Sequence, residues 1–561
     1  MRTPAAPAAL VLALLAPSQQ GAPEPVDIRV HAGERIGPMT PMWAFFGYDE
    51  PNYTYMRDGR KLLSELAELS PVPVYVRAHN LLTSGDGTPG LKWGSTGAYT
   101  EDAQGNPRYD WTIVDRIFDT YVERKMKPLV EIGFMPEALS TKPVPYRHDW
   151  APGLPYNRIY TGWAYPPKDY ARWGELVHQW VRHSVERYGR SEVESWYWEV
   201  WNEPDIGYWQ GTPEEYRKLY DFAADGVKRA LPTARIGGPH VTGPLGERTQ
   251  TFFREFLEHC LRGTNHATGR TGSPLDFVAF HAKGAPRVVD GHVRMGISGH
   301  LRAIANGFQI VSSYPELAKL PIIIGESDPE GCAACSVKTN PENAYRNGTM
   351  YSSYTAAQIA RTYELADRHG VNLLGSVTWA FEFEDQPWFA GFRDLATNGV
   401  DKPVLNVFRM LGKMGGDRVR VASSGAAAVD EIMKSGVRGA PEINALASRR
   451  GDAVQLMVWN YHDDDVPVTA SEVRIAIEGL SPGRRTVTHY RIDGQHSNSY
   501  GAWLKMGSPQ PPTAAQAVEL EKAGKLKELE VPRAIDVGPD GVLTLGFALP
   551  RQGVSLIAIE R

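Results

Sequence analysis

Two textures of apolar and polar residues divide this chain. From residue 43 onward, short apolar runs alternate with amphipathic stretches of helical period. The runs at 43–48, 74–79, 127–133, 196–202, 235–238, 277–281, 321–326 and 374–381 predict eight strands. Helices are predicted between them at 61–69, 112–125, 168–188, 214–231, 252–261 and 351–369. Thr212-Pro213-Glu214-Glu215 opens one helix with a cap, a first-turn proline and first-turn acids. Repeated strand–helix units predict an α/β fold, a closed (β/α)₈ TIM barrel. An open doubly wound sheet is the rival, but no G-x-G-x-x-G follows the first strand.

After a helix near 405–413 the texture changes. Short β-like runs at 453–461, 473–477, 485–491, 542–547 and 553–559 are separated by turn residues. They predict an antiparallel β-sandwich, interrupted by one helix at 513–529. The run 26–30 is a further strand available to that sandwich. The expected boundaries are a signal peptide over 1–22, a catalytic barrel over 26–415 and an accessory sandwich over 416–561. The first segment has Arg2, an apolar stretch at 8–16, then small and polar residues to Ala22. That is the pattern of a secretory signal, so a secreted or periplasmic protein is expected. The stretch is too short to span a bilayer, and no membrane insertion is expected.

Composition narrows the partners. The 561 residues are 42% hydrophobic and 22% charged, with net charge −5, so nothing points to nucleic acid. Fifteen Trp and 25 Tyr are plentiful. Sugar rings stack on such side chains, although most aromatics in any fold are core. Cys332 and Cys335 frame a four-residue segment that is either a small disulfide or two thiols. Neither a redox motif nor a zinc site is indicated.

Two glutamates carry the chemistry. Glu203 lies in Trp198-Glu199-Val200-Trp201-Asn202-Glu203-Pro204, and Glu326 ends Pro321-Ile322-Ile323-Ile324-Gly325. Each closes a predicted strand, and strand ends form the catalytic face of such a barrel. Glycoside hydrolysis needs a carboxyl pair, one protonated toward the leaving oxygen and one ionised toward the anomeric carbon. Glu203 is the acid/base candidate, with Trp198 and Trp201 expected to lower the dielectric around it. Asn202 is placed to bond a sugar 2-hydroxyl. Glu326 is the nucleophile candidate. Asp49, Glu50 and Trp379 lie at the ends of strands one and eight, with Trp379 expected to floor a sugar site. Tyr208 and Trp209 are expected at the rim, and the long loops 142–165 and 328–348 are expected to close one end of the groove.

The chain resembles glycoside hydrolase family 39, the family of β-xylosidases and α-L-iduronidases. The segments that carry the resemblance are Val76-Arg77-Ala78-His79-Asn80-Leu81-Leu82, Val114-Asp115-Arg116-Ile117-Phe118-Asp119, Val130-Glu131-Ile132-Gly133-Phe134-Met135-Pro136 and the Trp198–Pro204 run. The resemblance implies a retaining double displacement with Glu203 as acid/base and Glu326 as nucleophile. It implies that His79 and Asn202 touch the terminal sugar, that Glu131 is structural, and that no metal or cofactor is used.

Two segments depart from the β-xylosidase pattern, which carries an aromatic after the sixth-strand His and a Thr-Glu-Phe/Trp nucleophile segment. They are Phe280-His281-Ala282-Lys283-Gly284 and Gly325-Glu326-Ser327-Asp328-Pro329. Both resemble the iduronidase branch, where a Lys and an Arg bind a uronic carboxylate. Lys283 matches that Lys, and Arg393 is the match for the Arg. The other reading pairs both cations with Glu382, Glu384 or Asp385 after strand eight. His281 is expected to bond Glu326 or a sugar hydroxyl. The leading expectation is an exo-acting β-xylosidase. The alternatives are a glycosidase for an acidic sugar, an α-L-arabinosidase or β-galactosidase, and a non-catalytic carbohydrate-binding protein.

Overall fold

The computed structural model describes residues 24–155 and 159–561. The signal segment expected at 1–22 lies outside the described residues. Eight parallel strands close into a barrel: β1 (Phe45–Tyr48), β2 (Tyr75–Ala78), β3 (Lys127–Ile132), β4 (Tyr197–Val200), β5 (Arg235–Val241), β6 (Phe277–Lys283), β7 (Pro321–Asp328) and β8 (Asn372–Trp379). The eight expected strands are these eight. Both faces of the strands are covered, which is why they read as near-continuous apolar runs. Helices surround them, among them Tyr170–Tyr188, Pro213–Ala230 and Thr349–His369. The cap at Thr212 forms: its side chain accepts from the Glu215 N–H while Glu215 reaches back, an arrangement worth about 1 kcal/mol.

One helix and one strand extension depart from the predicted pattern. Helix Ile297–Ser312 between β6 and β7 was not among the predicted helices. It contains Gly299 and Gly307, which weaken a helical pattern. Gly307 is there because a Cβ would meet the Phe280 ring at 2.3 Å. Strand β5 runs three residues beyond its expected end, through Pro239 and His240 to Val241. A Gly-Gly-Pro sequence reads as a break, yet this one continues into the barrel.

The second domain is the expected antiparallel β-sandwich unit, one curled sheet with a single parallel pairing. Its path is Lys527–Glu528, Gly483–Ile492, Val554–Glu560, Ala453–Tyr461, Glu442–Arg450, Asp417–Ser423, Val26–Pro38, Ser471–Glu478 and Leu543–Leu549. The strand Val26–Pro38, counted with the barrel in the boundaries above, is bonded into this sheet, antiparallel to Asp417–Ser423 and parallel to Ser471–Glu478. Its residues Ile28, Val30 and Ala32 alternate into the sheet's own core. The expected helix at 513–529 is Ala514–Gly524, preceded by a short helix Ser499–Lys505.

The two domains share a core. Along Ala453–Tyr461, Val454, Leu456 and Val458 face the sheet's interior, while Met457, Trp459 and Tyr461 join the barrel core. A period of two thus glues the sheet to helix Thr349–His369. Arg418 pairs with Asp367 at 2.8 Å and Arg361 with Glu442 across the same seam. Among the described residues, no helix is long and apolar enough to cross a membrane.

Candidate active site

A cavity of about 380 Å³ opens at the C-terminal end of the barrel strands. Glu203, Glu326, Asn202, His79, Lys283 and Trp379 line it, with Asp49, Lys92 and Tyr208 beside them. The placing follows from register. In the parallel ladders Glu326 pairs with His281 and Asp328 with Lys283, and Glu131 pairs with Glu199. Side chains of one layer therefore converge on the axis.

Local backbone presents Glu203. After β4 ends, Trp201 (φ 72°) and Glu203 (φ 42°) both adopt left-handed conformations. Non-glycine residues there cost about 1–2 kcal/mol each and persist only where neighbours hold them. Here the Trp201 Nε1–H donates to the Tyr208 carbonyl at 2.9 Å and the Glu203 N–H to the His240 carbonyl at 3.0 Å. Asp205 completes the hold, accepting from the Thr242 N–H at 2.9 Å and the Thr249 hydroxyl at 2.8 Å.

Arg77 is the hub beneath the cavity. Fully buried, it pairs with Glu199 at 2.5 Å, Glu131 at 3.0 Å and Glu326 at 3.2 Å, and donates to Asn202 Oδ1 at 3.1 Å. Three acids packed together would repel without it. His79 lies between Asp49 (2.9 Å) and Glu131 (3.1 Å). Burial opposes its charge, but Glu131 and Asp49 outweigh burial and raise its pKa to about 9.

The two carboxyls are driven apart. Oxygens of Glu203 and Glu326 and a ring nitrogen of His281 all lie within 4.8 Å of one another. Burial, then the negative charge of Glu326, pushes Glu203 up to about 8. Burial would raise Glu326 too, but the Lys283 ammonium in contact with it holds it well below the usual carboxylate range. At neutral pH one carboxyl is protonated and its neighbour ionised, the division of labour an acid and a nucleophile require.

Several expected residues stand elsewhere than the sequence suggests. Trp198 and Trp201 do not line the cavity. Trp198 packs on Trp180 of helix Tyr170–Tyr188, and Trp201 against Phe134 and Trp209. Burial desolvates Glu203. His281 is fully buried below the cavity and contacts Glu203 Oε1 at 2.9 Å, with Glu326 at 3.6 Å. Arg393 is also buried outside the lining, donating to the Trp379 carbonyl at 2.7 Å and pairing with Glu330 at 2.7 Å. Lys283 does line the cavity but pairs with Glu326 and Asp328. The suggested pairing with Glu382, Glu384 or Asp385 does not occur: Glu382 accepts the Gly399 N–H, and Glu384 the Asp58 N–H. Trp209 lines a separate depression of about 620 Å³ rather than the rim of this cavity.

Trp379 forms a wall, its ring 4.3 Å from that of His79 and its Nε1–H donating to Asp49 at 3.2 Å. Tyr208 also lines the cavity, stacked on Phe134, with Tyr160 of the 142–165 loop against it. Cys332 and Cys335 form a disulfide in the loop after β7. Sequence reasoning missed Lys92, Arg77 and His240. Lys92, in a loop after β2, pairs with Asp49. A lone loop lysine carries no signal. Arg77 and His240 are charged or titratable residues inside barrel strands, and that is a signal.

Among the described residues, two clusters have the ligand types and spacing to hold a metal. In Glu203–His281–Glu326 the Lys283 ammonium already supplies the cation. In Asp221–His259–His266 both Asp221 oxygens are engaged, by His259, Ser273 and the His266 N–H.

The family model for glycosyl hydrolases family 39 matches residues 26–541. A β-xylosidase of Caldicellulosiruptor saccharolyticus is 26% identical over 522 residues, covering 90% of this chain and 93% of that one. An α-L-iduronidase of Mus musculus is 25% identical over 577 residues, covering 96% of this chain and 81% of that one. A monomeric β-xylosidase from Caulobacter crescentus CB15 superposes with a TM-score of 0.73 at 22% identity, covering 95% of this chain and 99% of that one, a likeness of fold. With the carboxyl pair at the barrel mouth and the match running from the first described strand into the second domain, the chain belongs to glycosyl hydrolase family 39 and is a glycoside hydrolase.

Proposed function

We propose that the protein is a retaining exo-glycosidase that removes terminal β-D-xylosyl residues from xylo-oligosaccharides. The observation that carries the mechanism is the carboxyl spacing. Oxygens of Glu203 and Glu326 lie within 4.8 Å, whereas an inverting enzyme needs carboxyls about 6.5–9.5 Å apart to admit a water. Glu326 attacks the anomeric carbon while Glu203 gives its proton to the leaving oxygen. A water then enters, Glu203 takes its proton, and the hydroxide oxygen displaces Glu326. Asn202 Oδ1 is engaged by Arg77, which leaves its amide N–H groups for the sugar. His79 and Trp379 supply further wall contacts.

The neutral sugar is favoured by charge pairing. Each cation at the cavity has a carboxylate partner: Lys283 with Glu326 and Asp328, Lys92 with Asp49, His79 with Asp49 and Glu131. Arg393 is turned away into Glu330. A uronic carboxylate would compete with these partners. The small cavity suits a single terminal ring, hence exo action. A second reading, an acidic sugar, is supported by Lys283 at the cavity wall and by the likeness to α-L-iduronidases. A purely carbohydrate-binding role is disfavoured by the opposed protonation of the two carboxyls. The Cys332–Cys335 disulfide suits an oxidising compartment and so supports export.

The test is hydrolysis of aryl β-D-xyloside, α-L-arabinoside, β-D-galactoside and α-L-iduronide by the wild type and by Glu326→Ala. Xyloside turnover lost in the variant is the expected result. Turnover of the iduronide alone overturns the sugar assignment.

A further inference from the structure

A buried row of side chains runs away from Glu203, across the barrel floor. His281 Nδ1 contacts Glu203 Oε1 at 2.9 Å, and His281 Nε2 faces His240 Nδ1 at 3.3 Å. His240 Nε2 is in contact with Glu199 Oε2. Among the described residues neither of these last two atoms has a hydrogen-bonding partner elsewhere. Glu199 is held in turn by Arg77 at 2.5 Å. Glu199, His240 and His281 are fully buried. Gly325 makes room for the pair of rings. A Cβ there would lie 2.1 Å from His240 Nδ1 and 3.0 Å from His281 Nε2.

The order of protons in this row follows from its anchored end. Glu199 is ionised against Arg77, so His240 must present Nε2–H to it. His240 Nδ1 is then a lone pair and must accept from His281 Nε2–H. His281 Nδ1 is therefore also a lone pair, and Glu203 meets it as an O–H donor. The opposite order would set a lone pair of His240 against the Glu199 carboxylate. We propose that Glu199, His240 and His281 form a proton-ordering chain that keeps Glu203 in its acid form between turnovers, His240 and His281 acting as positioning residues. This rests on Glu203 being the general acid.

Of the surrounding charges, Arg77 and Lys283 oppose a further proton on His281, while Glu326, 3.6 Å from His281 Nδ1, favours one and is outweighed by burial. His281 is faced by Glu326, Arg77, Lys283 and Glu199, and His240 by Glu199 and Arg77. Burial keeps both rings neutral, lowering them to about 3 and about 4. Glu203 is faced by Glu326, Lys283, Asp205 and His79 besides His281. In the reaction the Glu203 proton goes to the leaving oxygen, and the proton of the attacking water restores it. The chain's own protons stay in place.

Nitrogen NMR of the ¹⁵N-histidine-labelled wild type reads these tautomers without any variant. Both rings are expected as neutral Nε2–H tautomers from about pH 5 to pH 8. An Nδ1–H tautomer or an imidazolium on either ring overturns the chain. His240→Gln can offer either an oxygen or an N–H to His281, so it unlocks the order. It is expected to bring the alkaline limb of kcat/KM on an alkyl glycoside down by about one pH unit, tenfold in acid strength. An unmoved limb in the folded variant overturns the proposal. If Glu203→Gln hydrolyses alkyl glycosides at the wild-type rate, the acid assignment has failed, and the chain's role with it. Failure of the tautomers alone leaves that assignment standing.

Discussion

Lys283 Nζ bridges Glu326 and Asp328, two acids on one face of β7, touching the first and lying 3.1 Å from the second. The bridge forms because Asp328 is the ladder partner of Lys283 and Glu326 is two residues before it on the same side. One ammonium therefore sets the ionisation of Glu326, the proposed nucleophile.

Removing that ammonium should leave burial to act alone on Glu326. Lys283→Met is expected to raise the acidic limb of kcat/KM by about 1–3 pH units, because an adjacent opposite charge lowers a carboxyl by that amount. The sign is fixed: the low pKa of Glu326 requires the cation, so its loss moves the limb toward higher pH. The measurement is a pH–rate profile on an aryl xyloside. An unmoved acidic limb would mean that another cation holds Glu326.

Glu203→Gln should separate substrates by leaving group. Poor leaving groups are expected to lose about 10²–10⁴-fold in kcat/KM, the usual worth of general acid catalysis. Dinitrophenyl glycosides, which leave unaided, should keep most of their first-step rate. Equal losses on both would refute the acid role.

Glu326 should form the covalent intermediate. Incubation with a 2-deoxy-2-fluoro aryl glycoside is expected to add one glycosyl mass to the peptide containing Glu326. Labelling on any other residue would remove it as nucleophile. Glu326→Ala should be inactive on both substrate classes.

Arg77→Met should destabilise the fold as well as the site. It would strand Glu199 and Glu131 without their common cation, a break expected to cost about 3–5 kcal/mol. Urea unfolding by circular dichroism measures this. A loss of less than about 1 kcal/mol, the scale of a surface pair, would show the hub is dispensable.

Gly47 tests the wall. A Cβ there would lie 2.3 Å from the Trp379 ring. Gly47→Ala is expected to cost about 1–3 kcal/mol through overpacking and to weaken sugar binding by displacing Trp379. Unchanged melting temperature and KM together would contradict this packing.

The barrel was legible because each of its strands is buried on both faces and each helix shows one apolar stripe. Those periods are local properties of the chain. Glu203 and Glu326 were legible for the same reason, since each ends such a run. Lys283 was legible as a cavity residue, but not its bond to Glu326, which depends on the β6–β7 register. Arg393, matched to a carboxylate-binding Arg, and His281, expected to bond Glu326 or a sugar hydroxyl, both lie outside the cavity lining. Whether a polar side chain faces the cavity or the floor below it depends on strand tilt and stagger, which no single run encodes. His240 was hidden by Gly238 and Pro239, which read as a stop.

The amino-acid sequence by itself determined the alternation of elements, the closed barrel, the second β domain and the two carboxyls at strand ends, because burial and period are written residue by residue. Only the tertiary structure decided which acid keeps its proton, which cations are already paired and which side chains reach the cavity. Those outcomes depend on distances between atoms that lie tens to hundreds of residues apart, and electrostatic energy in a buried site changes steeply with such distances.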